Sequence, residues 1–178
     1  MPFVTLSQGT YWQQAVDYTM EIDVDVEKHQ FSGHQILRYT NNSPDTLHKV
    51  YYHLYFNAFQ PDGMMDVRSR SIEDPDDRVM DRISKLKDDE IGYHIIENLS
   101  QEGAELSFNI EYTVLEVELA HPILPGSTTE LNMNFKSQIP VQIRRSGRDN
   151  KEGISYSMAQ WYPKIAAYDT RGWHAEPY

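Results

Sequence analysis

The nine residues Thr19-Met20-Glu21-Ile22-Asp23-Val24-Asp25-Val26-Glu27 decide the fold class. Met20, Ile22, Val24 and Val26 fall on one face of an extended chain, and Glu21, Asp23, Asp25 and Glu27 fall on the other. A period of two marks a half-buried strand whose acids are ordinary solvent-face residues. Phe31 to Thr40 predicts a second strand with Gly33 near its start, and Asn41-Asn42-Ser43-Pro44-Asp45 a hairpin-closing turn. In Lys49 to Phe56, Val50, Tyr52, Leu54 and Phe56 share one side while Tyr51, His53 and Tyr55 share the other. A strand this aromatic on both faces is expected to be covered on both.

Outward from these strands the same rhythm continues. Ile91, Tyr93 and Ile95 alternate, and so do Leu106, Phe108, Ile110, Tyr112 and Val114. At Leu115 the phase flips to Leu115, Val117 and Leu119, which predicts a bulge or sharp bend, because a period of two cannot change phase unaided. Pro125-Gly126-Ser127 reads as a turn, and Leu131, Met133 and Phe135 as one face of another strand. The single helix signal is Asp74 as cap, Pro75 at the first helical position and acids behind it, followed by Val79, Met80, Ile83 and Leu86 at helical spacing. The spacing predicts a short amphipathic helix over 75–87. The expected fold is all-β, an antiparallel β-sandwich or saddle with one short amphipathic helix, in one domain spanning 1–178.

Composition narrows function mainly by exclusion. A chain of 178 residues, 39% hydrophobic with 12% aromatics, carries enough apolar surface for one sizeable core. Its net charge of -11 disfavours nucleic acid as a partner. The one basic cluster, Arg144, Arg145, Arg148 and Lys151, reads either as a solvated loop or as a local anchor for a carboxylate-bearing partner. Without cysteine there is no disulfide framework, thiol nucleophile or Cys-based zinc site. No apolar run approaches the roughly 20 residues that span a bilayer, and Met1 to Trp12 lacks the basic and apolar regions of a secretory signal. These features predict a soluble domain in an extracytoplasmic or cytoplasmic compartment.

The search for chemistry returns little. Among seven histidines, His29 with His34 and His48 with His53 stand five apart, an odd offset that sends strand side chains to opposite faces, so no metal site is expected. Gly153-Ile154-Ser155-Tyr156-Ser157 lacks a nucleophile elbow's strand-to-helix context, and there is no glycine-rich phosphate loop. The densest feature is Gly153 to Tyr178, with two tryptophans, four tyrosines and two prolines. Such rings need large partners. The expectation is that they form half of a contact whose other half lies outside this chain, which by itself carries no complete active site.

Four stretches in order resemble the N-terminal domain of the aminopeptidase N family of zinc metallopeptidases, which includes leukotriene hydrolase. They are Tyr18 to Asp25, Tyr52 to Phe59, His121 to Gly126, and Met158-Ala159-Gln160-Trp161-Tyr162-Pro163. The resemblance implies a mostly antiparallel β saddle on a thermolysin-like catalytic domain, with the chain stopping before the saddle's last strands. It places zinc, held by two histidines and a glutamate, and the general-base glutamate on that other domain. This chain alone would then be inactive, with the catalytic domain and the peptide substrate as its partners. It also implies one side chain here that binds the substrate's free α-amino group, carried to Gln160, whose amide oxygen accepts from an ammonium. Gln160 can equally be read as a packing residue beside Trp161. A competing reading makes Trp161, Tyr162, Trp173 and Tyr178 the aromatic platform of a carbohydrate-binding or other interaction module.

Overall fold

The computed structural model describes residues 11–178, so most of the signal-sequence reading of Met1 to Trp12 lies outside the described residues. In chain order the elements are β1 (Ala15–Asp25), β2 (Gln30–Thr40), β3 (Leu47–His53), α1 (Met64–Ser71), β4 (Tyr93–Gln101), β5 (Ala104–Glu105), β6 (Phe108–Glu111), β7 (Val114–Ile123) and β8 (Thr128–Gln138). Five two-residue strands follow: β9 (Gly147–Arg148), β10 (Tyr156–Ser157), β11 (Lys164–Ile165), β12 (Tyr168–Asp169) and β13 (Gly172–Trp173). Two antiparallel sheets form the body, one ordered β1-β2-β8-β4-β5 and the other β11-β3-β7-β6.

Alternation decides which residues meet between the sheets. In the first, Phe31, Gly33, Gln35, Leu37 and Tyr39 of β2 face inward beside Leu131, Met133 and Phe135 of β8. In the second, Val50 and Tyr52 of β3 sit opposite Val117 and Leu115 of β7, and all four are buried. These residues share one core, as expected of a sandwich. Gly33 is needed there: a Cβ would run into the Phe135 ring and come within 2.8 Å of Ile22. The space a side chain would take is filled by that ring.

Local chemistry explains the departures from the sequence reading. β1 alternates as predicted, but Val24, near the end of this edge strand, is 50% exposed, and Val26, in the turn just beyond it, is 60% exposed. In β4 the inward residues are His94, Ile96, Leu99 and Gln101, whereas Ile95, expected on the apolar face, is exposed; a register shift between Ile96 and Asn98 lets both Ile96 and Leu99 face the core. At Leu115 the change of phase reflects a full reversal. β6 and β7 are a hairpin, paired Glu111↔Val114, with Tyr112 at φ 55 in its two-residue turn.

The helix prediction fails in place. The one α-helix among the described residues is α1, and 75–87 is a chain of turns with a 3-10 segment at Ile83–Lys85. The Asp76 side chain accepts the Arg78 N–H, and Met80 sits at φ 41, which ends any helical ladder. The apolar spacing was nonetheless real: Val79 and Ile83 are buried with Phe59 and Ile143 in a second small core. On α1 the buried side chains are polar. Asp66 and Ser69 turn inward, with Asp66 accepting from Arg70 and from the Asp62 N–H, while Met64 and Val67 are exposed.

Candidate functional site

Beyond β8 the chain is pinned down before it reaches the aromatic stretch. The Arg148 N–H donates to the Pro140 carbonyl and the Gln142 N–H to the Arg148 carbonyl, closing a loop over 140–148. Arg148 is buried, its Nη2 donating to the Asp89 carbonyl at 2.8 Å. Arg144 is half-buried: Nη1 donates to Tyr178 Oη at 3.0 Å, the guanidinium lies 5.8 Å from that ring's centre, and Nε stands 3.5 Å from the Asp76 carboxylate. Two members of the basic cluster are therefore structural, and the solvated-loop reading holds only for the exposed Arg145 and Lys151. Long cationic stems pack along a surface when carbonyls and carboxylates satisfy their heads. The Arg78 guanidinium bound to Asp76 holds that carboxyl well below the usual carboxylate range.

From this anchor the β9–β10 ladder, Gly147↔Ser157 and Arg148↔Tyr156, carries the chain toward Gln160. Ser146 Oγ donates to the Ser157 carbonyl at 3.2 Å and accepts the Ala159 N–H at 3.2 Å, and Ser157 Oγ donates to the Arg145 carbonyl at 3.1 Å. Gln160 is exposed, at φ 54 in the left-handed region, and its amide bonds to no described residue. It stands on the rim of a notch walled by Tyr55, Phe59, Tyr178, Arg145 and Ala159. The notch encloses about 10 Å³, the space of one water, so a ligand at Gln160 would lie across the rim.

The aromatic segment then folds back over its own domain. Trp161 meets Phe31 edge-on at 5.5 Å, Tyr162 meets Tyr18 edge-on at 5.3 Å, and Gln35 Nε2 donates to the Pro163 carbonyl at 3.0 Å. The Ile165 N–H donates to Tyr18 Oη, and burial pushes the Tyr18 hydroxyl up. Trp173 lies 6.1 Å from Tyr39 and 5.8 Å from Tyr51, Tyr168 stacks on Trp12, and Tyr178 meets Tyr55 edge-on at 5.2 Å. The rings expected to form half of a contact with something outside the chain thus find ring partners within it. All are half-buried, and 173–178 is what covers the outer aromatic side of β3. Because Trp161, Tyr162, Trp173 and Tyr178 pack at an angle to ring partners, they offer no single exposed platform.

The histidines bond separately. His29 Nδ1 pairs with Tyr156 Oη, His34 Nδ1 with Asn134 Oδ1, His94 Nδ1 with Ser137 Oγ and His174 Nε2 with Asp169. Among the described residues no group of three or more His, Cys, Asp or Glu could hold a metal ion, so the chain's own side chains do not fit a zinc centre. Another cleft, which Gln160 does not line, lies over the C-terminal segment. It encloses about 650 Å³ between Trp12, Tyr18, His53, Lys164 and Tyr168. His53 Nε2 is 3.0 Å from the His174 carbonyl, and burial pushes the His53 ring down. The Arg171 N–H, with the His174 and Arg171 side chains, holds Asp169 below the ordinary carboxylate range. Sequence reading missed this His53–His174–Asp169 grouping, and no local signal could reveal it, since 121 residues separate the two histidines.

An all-β sandwich whose aromatic C-terminal segment lies across it, with one unpaired amide at a rim, defines the class of domain. No protein-family model and no curated protein matches the chain. Among solved structures it is similar to an M1 zinc metallopeptidase mutant from Deinococcus radiodurans bound to a Tyr-Ser-Ala substrate, with 17% identity, a TM-score of 0.50, and 83% of this chain and 26% of that one covered. A two-domain M1 zinc metallopeptidase mutant bound to L-arginine is similar at 16% identity and TM-score 0.51, covering 83% and 27%. At such identities the likeness shows the fold alone. The chain spans about a quarter of the length of the structures it matches.

Proposed function

We propose that this chain is the non-catalytic N-terminal domain of a zinc aminopeptidase. It packs on the catalytic domain and offers Gln160 Oε1 to the free ammonium of a peptide substrate. Zinc and the groups that activate water belong to the catalytic domain, and the residues here bind and orient. The observation that carries this reading is the state of Gln160: exposed, unpaired among the described residues, and held at a left-handed turn by the Ser146 and Ser157 hydrogen bonds. Strained backbone that its surroundings hold in place is common where function requires a fixed side chain.

Two further features support it. A notch too small to enclose a ligand fits a site whose remaining walls come from another body. The exposed side chains of Met64, Val67, Ile72 and Met80 provide apolar surface on which that body can pack. The test is Gln160→Ala in the full-length protein. The expected result is a Michaelis constant for aminoacyl substrates raised about tenfold, the worth of one hydrogen bond to a charged group. An unchanged Michaelis constant would reject the assignment.

A further inference from the structure

We infer that Arg145 reads a carboxylate beside the ammonium site, so that the preferred substrate carries an acidic N-terminal residue, aspartate or glutamate. This rests on the reading of Gln160 given above. Arg145 and Gln160 line the same notch. They are held in fixed relation by the Ser146 and Ser157 hydrogen bonds that tie 145–146 to 157–159.

The charges around the notch have different employments. Arg144 is occupied by Asp76 and Tyr178, and Asp76 in turn by Arg78. Arg148 is buried and bonded to Asp89 and Asp149. Arg145 is exposed and makes no ion pair with any described residue. In a chain of net charge -11, this leaves an unneutralised guanidinium next to the one amide proposed to bind an amine.

A lone ammonium gains nothing from that neighbour and is repelled by it. A residue carrying both charges meets each need, with its ammonium donating to Gln160 Oε1 and its side-chain carboxylate accepting from the planar guanidinium fork. The aromatic walls, Tyr55 and Tyr178, limit how far either group can stray.

The experiment compares kcat/KM of the full-length protein on glutamyl, leucyl and lysyl p-nitroanilides for wild type, Arg145→Lys, Arg145→Ala and Arg145→Glu. Wild type is expected to favour glutamyl over leucyl. In Arg145→Ala that ratio falls about threefold to fivefold, as for loss of one ion pair at an exposed site. Arg145→Lys retains part of the ratio, and Arg145→Glu turns the preference toward lysyl. Absence of a glutamyl preference in wild type would overturn the inference. So would an unchanged ratio in Arg145→Ala and Arg145→Glu while Gln160→Ala still raises KM, an outcome that leaves the amine-binding reading standing. If Gln160→Ala is also silent, both fall together.

Discussion

His94 shows how a single buried residue ties this fold to pH. Its ring stacks on Phe56 with centroids 4.9 Å apart, donates to or accepts from Ser137 Oγ at 2.6 Å, and leaves Nε2 without a partner. Burial pushes the ring's pKa down to about 3. A base whose folded pKa is depressed takes up its proton more readily when unfolded. Its contribution is therefore complete above about pH 6.5 and is lost as pH falls toward 3, a difference on the order of 5 kcal/mol over the whole window. Urea unfolding of wild type and His94→Leu across pH 4 to 7 should show a markedly shallower decline in the variant; equal slopes would contradict this. His94 was not legible as a core residue, since the alternation of Ile91, Tyr93 and Ile95 placed the histidine outward. Gln160 was legible only through the family resemblance. The employment of Arg144 and Arg148 was not legible, because it depends on Asp76, Tyr178 and Asp89, which are remote in sequence.

At the scale of elements, period-two patterns were read with the right residues inward in β3, β7 and β8, because a strand that packs one face on a core cannot choose its buried face freely. Reading failed where tertiary contacts outweigh local signal. The capping pattern at Asp74 and Pro75 resembles a helix start, yet Val79 and Ile83 reach the small core through turns. The true helix carries no apolar stripe and is held through polar contacts: Tyr112 Oη accepts the Met65 N–H at 2.9 Å and donates to the Ala58 carbonyl at 3.3 Å. Tyr112→Phe removes this tie between α1 and the β6–β7 hairpin. It should destabilise the fold by about 1 kcal/mol in denaturant unfolding, and local amide exchange should rise first in α1. No change in either would show the contact to be incidental.

For the whole molecule, the C-terminal segment does more than await a neighbour. It closes one side of the sandwich while keeping Gln160 and Arg145 outside. Trp173, which touches Tyr39, Tyr51 and Tyr168, carries much of that closure. Trp173→Ala should cost about 2–3 kcal/mol of stability, less than for a fully buried ring because one side faces solvent. An unfolding midpoint unchanged from wild type would mean the segment is merely laid on the surface. The architecture as a whole was legible from alternation, whereas the path of residues 153–178 was not, since short aromatic-rich strands carry no periodic signal. The most direct test of the central claim is a crystal structure of the full-length protein with a bound aminoacyl ligand. The account predicts Gln160 Oε1 at about 2.7–3.2 Å from the ligand's ammonium nitrogen. A ligand whose ammonium is bound by other groups, with Gln160 turned to solvent, would contradict it.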